Sequence, residues 1–582
     1  MSDDAAPAPA PPLPTLPPEA LGGLAAHAER GWVEGLPADP VGAEGGRRSR
    51  EVRGAAYSWV WPERPPAPRL LAASADAGAL LGLGAEELEG EDLGRWLSGA
   101  ALLRGARPYA TCYGGHQFGA WAGQLGDGRA LCLGSYEGPP LSAAQAALHG
   151  VADPARPRWE VQLKGAGRTP YSRRGDGRAV LRSSLRELVC SEAMWALGVP
   201  TTRALSLVAT GERVWRDPLY DGRPRAEPGA VVCRLAPSFL RFGHLELPAS
   251  RGEWGVAAAL LDVSVERDFA PAWRLAGEGV DALSAEERRA RWFEEVSART
   301  LRLMVEWTRV GFVHAVMNTD NLSALGLTVD YGPYGWLDDV DLSWTPNTSD
   351  AAERRYRFGA QPLCARWGLS RLAHAIAPLA AGGAPRLSET LEAWLPAYER
   401  AESALLARKV GFGAPRAESA EVLRALDGAG VDMTLFFAAL RALPLDEGAG
   451  GAAARAAHLA GCLYAPEELP AARRKRLAAR REGLWAWLER YAGAARAEVA
   501  REGAGPRDAR LGATNPALTP RNFLTQEAVD AAERGDLSPL WALLEALRDP
   551  YAPLTGRRAS FARRRPAWAL ERFGCSALSC SS

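Results

Sequence analysis

Lysine is nearly absent from this 582-residue chain: Lys164, Lys409 and Lys475 are the only three among 69 basic side chains, and the rest are arginine. Where arginine serves every ordinary surface charge, a lysine that persists is a candidate for work that needs a compact ammonium. Lys475 lies in ARRKRLAARR, a solvated basic helix face, and Lys409 is read as equally incidental. Long apolar runs are missing too, with none approaching the roughly 18 residues that span a bilayer. Net charge is zero, with 69 basic and 69 acidic groups, so the usual electrostatic reason for a nucleic-acid or membrane partner is gone. No CxxC pair occurs among the eight cysteines, at 112, 132, 190, 233, 364, 462, 575 and 580. The seven histidines do not cluster with them, which argues against structural zinc and for free thiols in a reducing compartment. The opening MSDDAAPAPAPPLPTLPPEA has no basic n-region, no apolar h-region and no Arg-rich amphipathic pattern. Residues 1–25 are expected to be a disordered Pro/Ala-rich arm, and the chain to be cytoplasmic, or mitochondrial if its source is eukaryotic.

What is present changes character along the chain. Residues 50–250 are expected as a β-rich N-lobe with nucleotide-binding loops; within it, 105–250 are dense in glycine and carry short apolar runs such as RALCLG (129–134), WEVQLKG (159–165) and GAVVCRLA (229–236). Runs of that kind, bounded by Gly and Pro, predict antiparallel strands. Residues 182–198 place Leu185, Leu188, Val189 and Met194 at helical spacing, stopped by Gly198 and Pro200. PLSAAQAALHGVADPARPR reads as a surface insertion. From 251 the pattern turns helical, with an amphipathic helix predicted over 292–312 and closed by Gly311. Residues 251–380 are expected as a helical lobe, 381–570 as a helical extension and 571–582 as a flexible Cys-containing tail. The expected fold class is α+β, with a β-rich N-lobe, a helical C-lobe and additional C-terminal helices, the order of a bilobal protein-kinase-like fold.

Several stretches could carry chemistry. In GQLGDGR, Gly123 to Arg129, glycines let backbone amides approach phosphates, although such turns also join strands with no ligand. Lys164 ends a strand-like run, where an ammonium can meet nucleotide phosphates, and Glu187 follows on a helix as its ion-pair partner. An exposed lysine and a surface glutamate are the plain alternative. RTPYSRRGDGR (168–178), with four arginines and Asp176, suits anion binding or is a solvated loop. Arg234, in an otherwise apolar strand, needs an acid or a bound phosphate, and Arg241 follows it in CRLAPSFLRFG. The most informative stretch is HAVMNTDNLSALGLTVDYGPYG (314–335). Its Asp320–Asn321 pair and Asp330 are expected at the two ends of a short hairpin around a buried strand. Hard oxygen ligands with open positions suit Mg²⁺ or Mn²⁺ beside nucleotide phosphates. DYG stands where kinases carry DFG, yet the HRDxxxxN string is absent, which sets an ordinary protein-kinase mechanism in doubt. Cys575 and Cys580, on a small-residue tail, are candidates for redox exchange or are inert.

Together these stretches resemble the selenoprotein O family. The resemblance is carried by GGHQFGAWAGQLGDGRA, WEVQLKGAGRTPYSRRGDGRAVLRSSLRELVCSEAM, LGVPTTRALSLV, EPGAVVCRLAPSFLRFGHLE, VGFVHAVMNTDNLSALGLTVDYGPYGWLD, NPALTPRNFLTQEAVDAAERGD and the closing SCSS, over roughly residues 105 to 582. It implies a pseudokinase-like fold that binds ATP in a flipped orientation. It also implies transfer of AMP, rather than the γ-phosphoryl group, to Ser, Thr or Tyr hydroxyls of proteins, with release of pyrophosphate. Carried onto this sequence, the implied nucleotide contacts are Gly126, Gly128, Arg129, Lys164, Asp176, Gly177, Arg234, Arg241 and Asp330. The implied proton acceptor is Asp320, the implied Mg²⁺ ligands are Asn321 and Asp330, and Glu187 pairs with Lys164. Cys580 stands where many eukaryotic members carry selenocysteine, so any redox chemistry would run through a less reactive thiol. The expected partners are protein substrates, with no nucleic acid and no membrane, and the chain is expected to be a monomer. Two other readings stay open: a conventional kinase that passes the γ-phosphoryl group, and an ATP-binding pseudokinase with a thiol-redox tail.

Overall fold

A computed structural model describes residues 13–29, 32–42, 47–218 and 221–579. The glycine-punctuated runs form strands, as predicted, and pair antiparallel: β1 (Tyr57–Trp59), β2 (Arg69–Ala73), β3 (Tyr109–Thr111), β4 (Ala130–Glu137), β5 (Arg158–Lys164), β6 (Arg203–Arg216) and β7 (Arg225–Ala236). Their order in the sheet is β1-β3-β4-β5-β7-β6-β2, with the short strands Ala28–Glu29 and Ala179–Val180 added on β4 and β7. Register decides which side chains meet. Gln162 pairs with Arg234 and Lys164 with Val232, so Gln162, Lys164 and Arg234 share one face of the sheet. Val161, Leu163, Cys233 and Leu235 point to the opposite face.

That opposite face packs against Leu93, Trp96 and Leu97 and against the N-terminal segment. The expected disordered arm is corrected here, because Leu16, Ala20, Leu21 and Leu24 are buried in this layer. Leu16 N donates to the Leu102 carbonyl at 2.8 Å. Apolar side chains between the prolines find a groove, and burying each leucine is worth about 1.5–3 kcal/mol, enough to order the segment. Residues 1–12 of that arm lie outside the described residues.

The face bearing Lys164 is covered by the helix Leu181–Ala196, which is backed by the helices Asn522–Glu533 and Ser538–Leu547. The helix stops as predicted, with Gly198 at φ 74° just beyond it. Chain order is therefore not spatial order: the end of the helical extension returns to the sheet. The tail follows it. Cys575, Leu578 and Ser579 are buried, which corrects the expected flexible tail over 571–579. Cys580 lies outside the described residues.

The long helix Ala285–Val310 starts earlier than its apolar pattern suggests. Ser284 and Glu287 form a capping box that satisfies the free amides at its polar start. Trp292, Phe293, Val296, Leu303 and Trp307 form its buried face, in a core shared with the helices Gln361–Ile376 and Gly383–Lys409. Phe312–Val313 pairs with Gly335–Trp336 and closes the loop that holds Asp320 and Asp330. The strand expected between Asn321 and Asp330 is replaced by irregular chain with single bridges, Arg241 to Ser323 and Thr201 to Thr328. Side-chain bonds hold it instead, including Trp307 Nε1 to Thr328 Oγ1 at 2.9 Å.

Two smaller expectations are also corrected. The Ala-rich insertion holds the helix Ala143–His149, and His149 is buried and stacked on Trp195 with centroids 4.0 Å apart. Lys409 is 1% exposed, with Nζ donating to the Arg309 carbonyl and Asn515 Oδ1 at 2.8 and 2.9 Å. Among the described residues, no helix is long and apolar enough to cross a membrane.

Candidate active site

A cleft of about 650 Å³ opens where the sheet meets the loop 314–334. Eight cationic side chains line it, Lys164 and Arg129, Arg173, Arg174, Arg178, Arg216, Arg234 and Arg241, against four carboxylates, Asp127, Asp176, Asp320 and Asp330. Such an excess of positive charge in a concave, partly dry place suits a polyanion.

At its floor, Lys164 Nζ donates to Glu187 Oε2 at 2.7 Å and lies 3.5 Å from Asp330 Oδ1. Burial lowers the pKa of Lys164, and Glu187 and Asp330 oppose that shift. Arg234 finds the acid its position demanded: Nη1 donates to Asp330 Oδ1 at 2.6 Å and to Glu187 Oε1 at 3.2 Å, while Nη2 donates to Gln162. Arg241 Nη1 donates to Asp330 Oδ2 at 2.6 Å, to the Asp320 carbonyl at 3.0 Å and to Tyr113 Oη at 3.0 Å. Burial disfavours the charge on Asp330, but Arg241, Arg234 and Lys164 together hold its carboxyl well below the usual range. Asp330 has φ 59°, in the left-handed region that a non-glycine residue enters only when its surroundings hold it there. His314 helps: its Nε2 donates to the Val329 carbonyl at 2.9 Å, just before the bend.

Asp320 is different. Its Oδ2 accepts from Gln117 Nε2 at 3.3 Å, and its Oδ1 is buried with no hydrogen-bond partner. Burial pushes its carboxyl up to about 7, only partly offset by Arg241. Two carboxyls in one cleft thus differ in protonation, one clamped as an anion and one poised to take a proton. Asn321 Nδ2 donates to the Val316 carbonyl at 3.0 Å, and the residue lines the same cleft.

The other expected contacts form the far wall. Gly126 and Gly128 lie against Tyr171, whose ring and carbonyl would collide with any Cβ there. Gly177 is packed as tightly against the Gly167 carbonyl. The glycine loop is tied to the loop 168–178 by Thr169 Oγ1, which donates to the Asp127 carbonyl at 2.6 Å. Arg129 lines the cleft and forms no ion pair among the described residues. Asp176 is held by Arg216 through bonds of 2.7 and 2.9 Å, a partner the sequence reading missed. Gln117, Asp127 and Tyr113 join the site without having been singled out: Asp127 stands inside the glycine loop, and Tyr113 and Gln117 come from the neighbouring segment 113–117, where residue type alone gives no signal. Cys575 lies apart from the lining residues, and burial pushes its thiol up to about 12, so little thiolate is available for exchange.

Cations gathered around one clamped and one poised carboxyl place the chain among the α+β enzymes that handle phosphorylated ligands. Comparison with known proteins makes this specific. The family model described as Protein adenylyltransferase SelO matches residues 48–548, and the chain belongs to that family, which implies a kinase-like fold and use of ATP. Protein nucleotidyltransferase YdiU of Azoarcus sp. is 49% identical over 555 residues, 95% of this chain and 98% of that protein. The proteins of the same name from Tolumonas auensis and Xanthomonas campestris pv. campestris are 47% and 49% identical over 562 and 553 residues, covering 96% and 94% of this chain and 99% and 98% of their own lengths.

Proposed function

We propose that this cleft of a bilobal, pseudokinase-like fold transfers AMP from ATP to Ser, Thr or Tyr hydroxyls of proteins, with Asp320 as proton acceptor. The observation that carries the reading is the free, buried Oδ1 of Asp320, beside an Asp330 already neutralised by Lys164, Arg234 and Arg241.

The acceptor oxygen forms a bond to the α-phosphorus, and the bond to the oxygen bridging the α- and β-phosphorus breaks. Pyrophosphate leaves with the electron pair, and the hydroxyl proton passes to Asp320 Oδ1. Lys164, Arg234 and Arg241 stabilise charge as it builds on the departing group, a preorganised arrangement of the kind that supplies much of an enzyme's rate. Arg129 and the glycine loop with Gly126 and Gly128 lie along the nucleotide, and Asp176 and Gly177 shape the loop that closes over it. Glu187 holds Lys164 in place.

The donor set suits a hard cation. Asn321 and Asp330 offer oxygens, and no group of three His, Cys, Asp or Glu side chains among the described residues could cage a metal alone. Asn321 and Asp330 are the residues that would hold Mg²⁺ or Mn²⁺, which would supply neutralisation of phosphate charge.

The test is intact mass after incubation of the purified protein and candidate acceptor proteins with ATP and Mg²⁺, beside Asp320→Ala and Asp330→Ala. A gain of one adenylyl group that both variants lose supports the reading. A gain of one phosphoryl group replaces it with a γ-phosphoryl-transferring kinase.

A further inference from the structure

Beside Asp320 the surface carries features that nucleotide transfer does not use. The strand Gly114–Gln117 pairs with Ala120–Gln124, and these two strands form a sheet of their own. Ala120, Trp121 and Ala122 are exposed along the outer strand, Trp121 at 40%. At the tip, Phe118 is 37% exposed and held at φ 51° by its amide, which donates to Tyr356 Oη at 2.9 Å and Asn318 Oδ1 at 3.3 Å. A bulky side chain kept exposed in a left-handed conformation is costly for the fold alone.

Next to the tip stands Arg355, its guanidinium against Gly119, and Arg371 shares an aromatic neighbour with it. Arg355 and Arg371 lie over the Trp367 ring at 4.7 and 5.6 Å from its centroid. In a chain where most buried or half-buried arginines find a carboxylate, neither of these forms an ion pair among the described residues. Arg355 Nε is buried with no hydrogen-bond partner. The patch is continuous with the chemistry: Gln117 touches Asp320, and Gly119, two residues on and at most about 7 Å away along the chain, abuts the Arg355 guanidinium.

We infer that this surface docks the acceptor segment of the substrate protein, and that Arg355 and Arg371 select a carboxylate side chain close to the hydroxyl that is modified. The inference rests on the reading of Asp320 as the proton acceptor. An extended segment lying along the exposed strand brings its hydroxyl to Asp320 Oδ1. A neighbouring Asp or Glu then meets a guanidinium already stacked on an aromatic ring, whose planar fork matches a carboxylate. Phe118 and Trp121 supply flat apolar area for the remainder of the segment.

The test uses the full-length protein, α-labelled ATP and three peptides alike except for the residue flanking the acceptor hydroxyl, which is Glu, Gln or Lys. Expected is a kcat/KM for the Glu peptide about tenfold or more above that for the Lys peptide. In Arg355→Gln/Arg371→Gln that ratio falls towards one while the Kd for ATP stays unchanged, which also shows that the variant is folded. Arg371→Glu turns the preference towards the Lys peptide. Equal rates on all three peptides overturn the docking surface alone, as does AMP on the enzyme itself but on no peptide. A double variant that loses ATP affinity and keeps its preference overturns it too, and assigns the arginines to the nucleotide. AMP on no acceptor at all, the enzyme included, removes the reading of Asp320 and the docking surface with it.

Discussion

Lys164 Nζ donates to Glu187 Oε2 at 2.7 Å in a place where neither side chain is more than 10% exposed, and this bond joins the central sheet to the helix that covers it. Arg234 reaches the same carboxylate at 3.2 Å, so Glu187 keeps a cationic partner when Lys164 is lost. Lys164→Met should therefore fold and bind nucleotide poorly, with AMP transfer down about 100-fold or more. Glu187→Gln keeps a hydrogen-bond acceptor and should cost about tenfold. Single-turnover rates with α-labelled ATP measure both. A Lys164→Met rate near wild type would remove the lysine from the phosphate site.

Asp320 links function to stability with a definite sign. Its folded pKa of about 7 lies above the ordinary value of 3.8, because burial disfavours the anion. The folded state thus holds the proton more tightly than the unfolded state. Stability from this group is present in acid and is lost as pH rises from about 4 to about 7, up to about 4 kcal/mol in all. Asp320→Asn escapes the loss. With chelator present and no nucleotide, it should melt several degrees above wild type at pH 8, and the gap should narrow to roughly half or less at pH 5, although its AMP transfer is abolished. Identical melting curves at pH 8 would refute the poised carboxyl.

Gly126 has φ 73°, and a Cβ there would enter the Tyr171 ring. Gly126→Ala should shift the glycine loop against the loop 168–178, costing about 1 kcal/mol or more in stability. Its KM for ATP should rise more than its kcat falls, because the wall of the cleft moves while Asp320 stays in place. An unchanged KM, measured on initial rates, would separate this loop from nucleotide binding.

The sheet and the helix Leu181–Ala196 were legible because local pattern decides them: short runs between glycines, and leucines at helical spacing before Gly198. That Lys164 and Arg234 meet acids in the cleft was legible because residue type conflicts with surroundings, a lysine in an arginine chain and a charge in an apolar strand, whereas Asp320 and Asp330 stood out through the Asp–Asn pair and the DYG that follow one another in a single stretch. Gln117, Arg216 and His314 were not. Their importance lies in bonds to Asp320, Asp176 and the Val329 carbonyl that register and loop closure create, which residue type does not reveal even where, as with Gln117 and His314, the surrounding stretch stands out. Lys409 misled because its partners, Arg309 and Asn515, lie 100 and 106 residues away. The tail misled because small residues look mobile until a distant surface binds their backbone.

That surface makes the last prediction. Leu578 N donates to the Pro346 carbonyl at 2.9 Å, and Thr348 N donates back to the Leu578 carbonyl at 2.8 Å. Arg186, next to Glu187, donates to the Gly574 carbonyl at 3.1 Å and to the Tyr334 carbonyl at 3.0 Å, while Asn522 Nδ2 donates to the Cys575 carbonyl at 2.6 Å. The tail thereby fastens the Glu187 helix to the chain just beyond Asp330. Leu578 is fully buried, and Leu578→Ala should cost about 2–5 kcal/mol, seen as a lower Tm. Ending the chain at residue 571 should lower Tm further and slow AMP transfer, since Arg186 loses the Gly574 carbonyl and the helix is freer to move. Cys575 reports the same docking: with its thiol pushed up to about 12 by burial, it should resist alkylation at pH 7.5 in the native protein and react once Leu578→Ala loosens the tail. Rapid labelling of Cys575 in the unmodified protein would show that the tail is not held down.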